Sequence, residues 1–219
     1  MKRLGSIFAV AAVVAIFGSQ ASAQSSGSAN YASDTTACTD IGGLLGGGAS
    51  VTPLKTTLKM SSGNGNTIYI RPSAVTGLLT NLSISGSSGG GTKSGSAQAA
   101  ITFEVTVTPL SGQAPPTVIP SGPVTYDDRF LQISTNLFNQ ITTCTTTMPC
   151  FFNLNETTLS AHSFDWVVTG LSAGNYGITV TWTPTTTAAA PNTAAACVGA
   201  VILTATQTKL FTQSTGIAF

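Results

Sequence analysis

Apolar and polar residues alternate along much of this chain, a period of two that marks half-buried β-strands. Ile101, Phe103, Val105 and Val107 share one face of such a run, with Glu104 and Thr106 opposite. Phe164, Trp166 and Val168 share another, with Asp165 outward. Tyr176, Ile178, Val180 and Trp182 form a third, against Gly177, Thr179 and Thr181. With weaker alternation added, the expected strands are 51–60, 67–71, 77–85, 97–108, 129–134, 163–169, 175–183 and 197–209. Many carry Thr, whose β-branched side chain suits a pleated surface.

Turn chemistry separates these runs. Residues 61–66 read SSGNGN, 86–96 are rich in Gly and Ser, and 114–122 hold three Pro and should be extended. Residues 169–175 form a short connection between two strong strands. The pattern therefore predicts that Phe164–Val168 and Tyr176–Trp182 pair as an antiparallel hairpin with their aromatics on one core face. Gly174 supplies backbone freedom at its turn. No period of 20–50 residues recurs, which argues against a solenoid. About eight strands and almost no helical pattern predict an all-β fold, a single antiparallel β-sandwich over 51–219.

Ahead of that domain the chain reads as an address. Lys2 and Arg3 precede an apolar run from Ile7 to Phe17, then Ala21-Ser22-Ala23. That three-part layout predicts a secretory signal peptide over 1–23, too short in its apolar part to span a bilayer comfortably. Residues 24–50 are a Gly/Ser-rich leader. The product is expected outside the cytoplasm, extracellular or periplasmic, with no transmembrane helix after cleavage.

Composition narrows the chemistry. Charged residues make up 7% of the 219, against about a quarter in an ordinary domain, and the net charge is +1. No basic excess exists to neutralise phosphates, so nucleic acid is not an expected partner. The four cysteines, Cys38, Cys144, Cys150 and Cys197, all follow the signal segment, and an even count in an exported chain suggests two disulfides. Three pairings are possible. The short polar loop between Cys144 and Cys150 favours that pair and leaves Cys38–Cys197. A zinc site is disfavoured by the wide spacing and the lack of a nearby His.

Leu171, Gly174 and Tyr176, followed by alternating apolar residues, resemble the late-strand pattern of immunoglobulin and fibronectin type III-like sandwiches. In those folds a Tyr hydroxyl returns to a nearby backbone group at an inter-strand corner. Residues 73–80 (SAVTGLLT), 122–129 (GPVTYDDR), 163–174 (SFDWVVTGLSAG) and 198–206 (VGAVILTAT) are similar to a group of exported bacterial β-sandwich proteins of uncharacterised activity. Where that group often carries a His before the penultimate strand's apolar run, this chain has Tyr176. The resemblance implies an immunoglobulin-like sandwich and an exported setting, and no activity.

Candidate chemistry is sparse. His162 is the only His, and Ser163, its neighbour on a strand, points to the other face. No Gly-x-Ser-x-Gly elbow exists. Asp127 and Asp128 read as a turn before Arg129, which is expected to pair with Asp127 or a carboxylate across the sandwich. Glu104, Glu156 and Asp165 are scattered, without the opposed pair that glycoside hydrolysis needs. Asp34, Asp40, Asp127 and Asp128 are hard oxygen donors but form no dense calcium loop. No catalytic residue, metal or cofactor is therefore expected. Trp166 and Trp182 fall on the apolar register, which assigns them to the core and leaves Tyr31, Tyr69 and Tyr126 as candidate ligand-facing aromatics. A surface of Thr, Ser, Gly and Asn repels little and suits packing against neighbours. The leading expectation is an exported, non-catalytic structural or interaction protein of the cell surface or extracellular matrix. Its partner would be a protein, a cell-surface polymer or a second copy. A carbohydrate-binding module ranks second and an outer-membrane β-barrel third.

Overall fold

A computed structural model describes residues 28–34, 53–62 and 66–209. The expected signal segment, most of the leader, Cys38 and Asp40 lie outside the described residues.

Ten strands are described: β1 (Ala29–Asp34), β2 (Leu54–Met60), β3 (Asn66–Gly86), β4 (Ser94–Pro109), β5 (Thr117–Ile119), β6 (Val124–Ser134), β7 (Cys150–Ser163), β8 (Trp166–Thr169), β9 (Gly174–Ala188) and β10 (Thr193–Lys209). A single 3-10 turn, Thr135–Phe138, follows β6. The strands form two antiparallel sheets. The larger runs β1-β10-β3-β8-β5, with β7 also paired to β3, and the smaller runs β2-β9-β4-β6. This is the all-β sandwich that the alternation predicts, with about ten strands in place of eight.

Alternation places the core. Leu58, Ile101, Phe103, Trp166, Val168, Tyr176, Ile178, Val180 and Leu203 are buried between the sheets. Trp166 and Trp182 both belong to it, on the faces their registers assign. Their rings join a cross-sheet column. Trp182 on β9 and Phe103 on β4 lie 5.7 Å apart, Phe103 and Tyr126 on β6 4.1 Å, and Tyr126 and Trp166 on β8 6.3 Å. Such offset aromatic pairs add to what their buried area contributes.

Several expected elements are corrected. The strands expected at 67–71 and 77–85 are one, the 21-residue β3. It pairs with β8 up to Ile70 and with β7 from Ser73 onward, so Pro72 stands at the gap between those partners. A strand tolerates a residue without N–H there. The hairpin expected between 164–168 and 175–183 does not form. β8 pairs with β3 and β5 in the larger sheet, and β9 with β2 and β4 in the smaller. Two consecutive strands that each bury an aromatic face can either pair or face each other, and here they face each other. The connection between them therefore crosses the sandwich. Tyr176 fastens this corner, its hydroxyl donating to the Ser172 carbonyl at 3.2 Å and accepting from the Ser172 N–H at 3.1 Å. Gly174 has φ +141°, and a Cβ there would meet the Gln113 side chain at 1.6 Å. Phe164, expected inward, precedes β8 and is exposed.

Three strands have no counterpart in the expected set. β1 arises within the Gly/Ser-rich leader and pairs with β10. β5 forms within the Pro-rich stretch and pairs with β8. β7, 14 residues long, pairs with β3 throughout. Its burial alternates only between partly buried and exposed, without one fully buried residue, so no apolar period marks it. Asp127 and Asp128 lie inside β6, not in a turn. Ile101 of β4 faces Asp127 and Thr102 faces Thr125, which leaves Tyr126 as the extra residue of a β-bulge.

Candidate functional site

The bulge in β6 decides what surrounds the lone histidine. It turns both Tyr126 and Asp127 inward, where strict alternation would separate them. Tyr126, expected to face a ligand, is instead only 8% exposed. Its hydroxyl donates to the Pro72 carbonyl of β3 at 2.8 Å, and burial pushes its phenol well above the ordinary range. Asp127 reaches across to the larger sheet. Its Oδ2 accepts from Thr76 at 3.0 Å and from Ser160 at 3.2 Å. His162 Nε2 lies 2.7 Å from Ser160 Oγ and 3.7 Å from the same Asp127 oxygen. Ser160 and His162 are two apart on β7 and so share a face. That rule, applied two residues back rather than to Ser163, identifies the partner from sequence.

The cluster holds a serine, a histidine and an aspartate, and its geometry sets their roles. In serine nucleophile catalysis the hydroxyl gives its proton to one imidazole nitrogen while the carboxylate holds the other. Here hydroxyl and carboxylate share one nitrogen, and the Ser160 proton is directed at the carboxylate. Ser160 Oγ and His162 Nε2 share a further hydrogen bond. The arrangement ties β6 to β3 and β7. Farther along the seam Arg129 donates to Thr158 Oγ1 at 2.7 Å and lies 3.8 Å from Glu156. Arg129 thus pairs with a carboxylate across the sandwich, one of its two expected partners.

The remaining acids do not converge. Asp165 pairs with Arg71 and Asp128 accepts from Gln98. No group of three or more His, Cys, Asp or Glu gathers among the described residues.

Of the candidate aromatics, Tyr31 and Tyr69 share the outer face of the larger sheet. Tyr31 on β1 is opposite Thr204 of β10, which is opposite Arg71 of β3, and Tyr69 lies one row along. Tyr31 is 81% exposed. Arg71 lies over the Tyr69 ring at 5.4 Å, donates to its hydroxyl at 2.8 Å and grips Asp165 with two nitrogens. The Arg71 guanidinium holds the Asp165 carboxyl below its usual range, and the Asp165 carboxylate raises the Tyr69 phenol.

Cys144 and Cys150 form the expected disulfide, Cα atoms 5.1 Å apart. Beneath it Ile84, Phe138 and Cys144 make a small second core. Cys197 is buried on β10, and no described cysteine is free. The expected Cys38–Cys197 bond involves a residue outside the described set. Beside the second core an open groove of about 490 Å³ is lined by Ser83, Ser85, Ser94, Ser96, Lys93 and Phe151, among others.

Sequence reasoning missed the exposed apolar residues of β7 and of the chain leading to it. Among the described residues, seven of the twelve exposed large hydrophobic ones lie between Phe130 and Leu159, on β6, β7 and their connection. On β7 itself Phe151 is 75% and Leu159 63% exposed. The usable signal was the run 150–163, free of Gly and Pro in a chain that holds 23 and 10 of them.

No protein-family model matches the chain, and comparison with curated proteins finds none similar to it. No helix among the described residues is long and apolar enough to cross a membrane.

Proposed function

We propose that this chain is an exported, non-catalytic structural or interaction protein of the cell surface or extracellular matrix. The observation that carries this reading is the pair of exposed apolar side chains Phe151 and Leu159 on β7, in a chain rich in Thr, Ser and Gly with few charges. Phe151 and Leu159 share the outer face of β7, and exposed large apolar side chains that share a face mark interaction surfaces. The Cys144–Cys150 disulfide supports an oxidising compartment. The Tyr176 corner supports an immunoglobulin-like relationship. The hydrogen bonds that Thr76 and Ser160 donate to Asp127 support a structural role for Ser160 and for His162 beside it. Two sheets closed on a filled core speak against a lipid-facing barrel. Fractionation of cells producing the full chain tests the reading. Recovery in the washed surface or matrix fraction is expected, and recovery only as free protein in the medium would overturn it.

A second reading, a carbohydrate-binding module, is favoured by one specific observation. Tyr31, Tyr69, Arg71 and Asp165 lie together on an outer sheet face and offer flat rings beside charged hydrogen-bonding groups. Glycan binding that is lost in Tyr31→Ala with Tyr69→Ala would move this reading to first place.

A further inference from the structure

Among the described residues five strands end a sheet: β1, β5, β7, β2 and β6. Edge strands carry unpaired N–H and C=O groups and are normally protected against pairing with other chains. Four of the five show such protection. β2 carries exposed Lys55 and Lys59. β5 has three residues and is followed by Pro120. β6 has its bulge and the charges of Asp128 and Arg129. β1 has six residues and ends on Asp34. β7 has none of these. It is 14 residues long, with no Pro, Lys, Arg or Asp and with regular pairing to β3. Its one formal charge, Glu156, already faces Arg129. Among the described residues no strand lies along its outer edge.

We infer that the occupant of this edge is the β7 strand of a second copy, paired antiparallel about a two-fold axis at Asn155. The inference deepens the interaction-protein reading and rests on it. Sequence complementarity selects both the partner and the register. An axis perpendicular to the sheet sets odd residues against odd ones on the outer face. Centred on Asn155, it places exposed Phe151 opposite Leu159 of the second copy, twice by symmetry. Asn153 then faces Thr157, and the two Asn155 side chains meet. An apolar pair of this kind is the unit that stabilises a sheet. Moving the centre to Glu156 would oppose like charges, and moving it to Thr157 would set Leu159 against Asn155. The same pairing continues the larger sheet through both molecules, which is β-strand addition between identical edges.

Sedimentation velocity of the full exported chain over a concentration series tests the inference. A dimer is expected, and Leu159→Lys should weaken it by about tenfold or more with no change in circular dichroism. Asn155→Cys should cross-link two copies on mild oxidation, whereas Thr157→Cys, whose opposite residue is Asn153, should not. A monomer at every concentration would overturn the pairing. So would a dimer that Leu159→Lys leaves intact, or equal cross-linking at both positions. A monomer recovered in the surface or matrix fraction would overturn self-pairing alone and leave the interaction-protein reading in place.

Discussion

Thr80 shows how a residue that alternation places correctly can still be mismatched to its surroundings. It lies on β3 between Leu78 and Leu82, fully buried, and its hydroxyl has no hydrogen-bond partner. A buried polar group left unpaired costs about 1–3 kcal/mol. Val has nearly the same shape without the hydroxyl. Thr80→Val is therefore expected to raise stability by about 1 kcal/mol, read as a higher urea midpoint with an unchanged slope. Thr76, two turns of the pleat away, is equally buried but donates to Asp127, so Thr76→Val should destabilise. Arg71 and Asp165 present the opposite case, a well-formed pair at the surface. Asp165 is held below its ordinary value of about 4, so its contribution is complete above that pH. It is lost as pH falls through the lower folded value. Asp165→Asn should flatten the acid end of a thermal stability profile and change little at neutral pH, because exposed pairs contribute little.

At the scale of elements, legibility followed burial. β4 from Gly95 to Val107 and β9 from Tyr176 to Trp182 bury every second residue, and their apolar alternation is plain in the sequence. β7 buries neither face completely. Leu154, Glu156, Thr158, Ser160 and His162 meet the polar seam against β6, and Phe151 and Leu159 face outward, so no apolar period survives. The histidine cluster was hidden for the same reason. Its partners come from β3, β6 and β7, and only the bulge at Tyr126 brings Asp127 into reach. The disulfide was legible because Cys144 and Cys150 are close in the chain. It holds the first residue of β7, Cys150, to a loop packed on the Ile84–Phe138 cluster. Loop-entropy arithmetic gives so short a ring about 2 kcal/mol. Cys144→Ser with Cys150→Ser is expected to cost about that much and to raise hydrogen exchange chiefly at the start of β7.

Across the whole molecule, the column Trp182–Phe103–Tyr126–Trp166 links three strands of the smaller sheet to one of the larger. The Tyr126 hydroxyl adds a direct hydrogen bond to β3. Sheets joined through one aromatic stack should unfold together. Trp182→Ala is expected to cost about 3–5 kcal/mol, as large core truncations do, and to lower a single urea transition without splitting it. Loss of under about 0.5 kcal/mol, the range of surface changes, would contradict the core assignment.

The sequence by itself determined the fold class, the faces of the strongest strands, the core position of both tryptophans and the local disulfide. Each of these depends on a period of two or on a short chain separation. Tertiary structure alone decided that β8 and β9 face each other across the core, because alternation says which face is buried and not which strand buries it. It decided that Tyr126 lies inside, because the stretch read as a turn at Asp127 and Asp128 is part of β6, whose bulge turns Tyr126 toward the core. It also decided that β7 has a neighbouring strand on one side only among the described residues. A strand's hydrogen-bonding neighbours come from anywhere in the chain, and whether one side lacks a neighbour is a property of the assembled sheet.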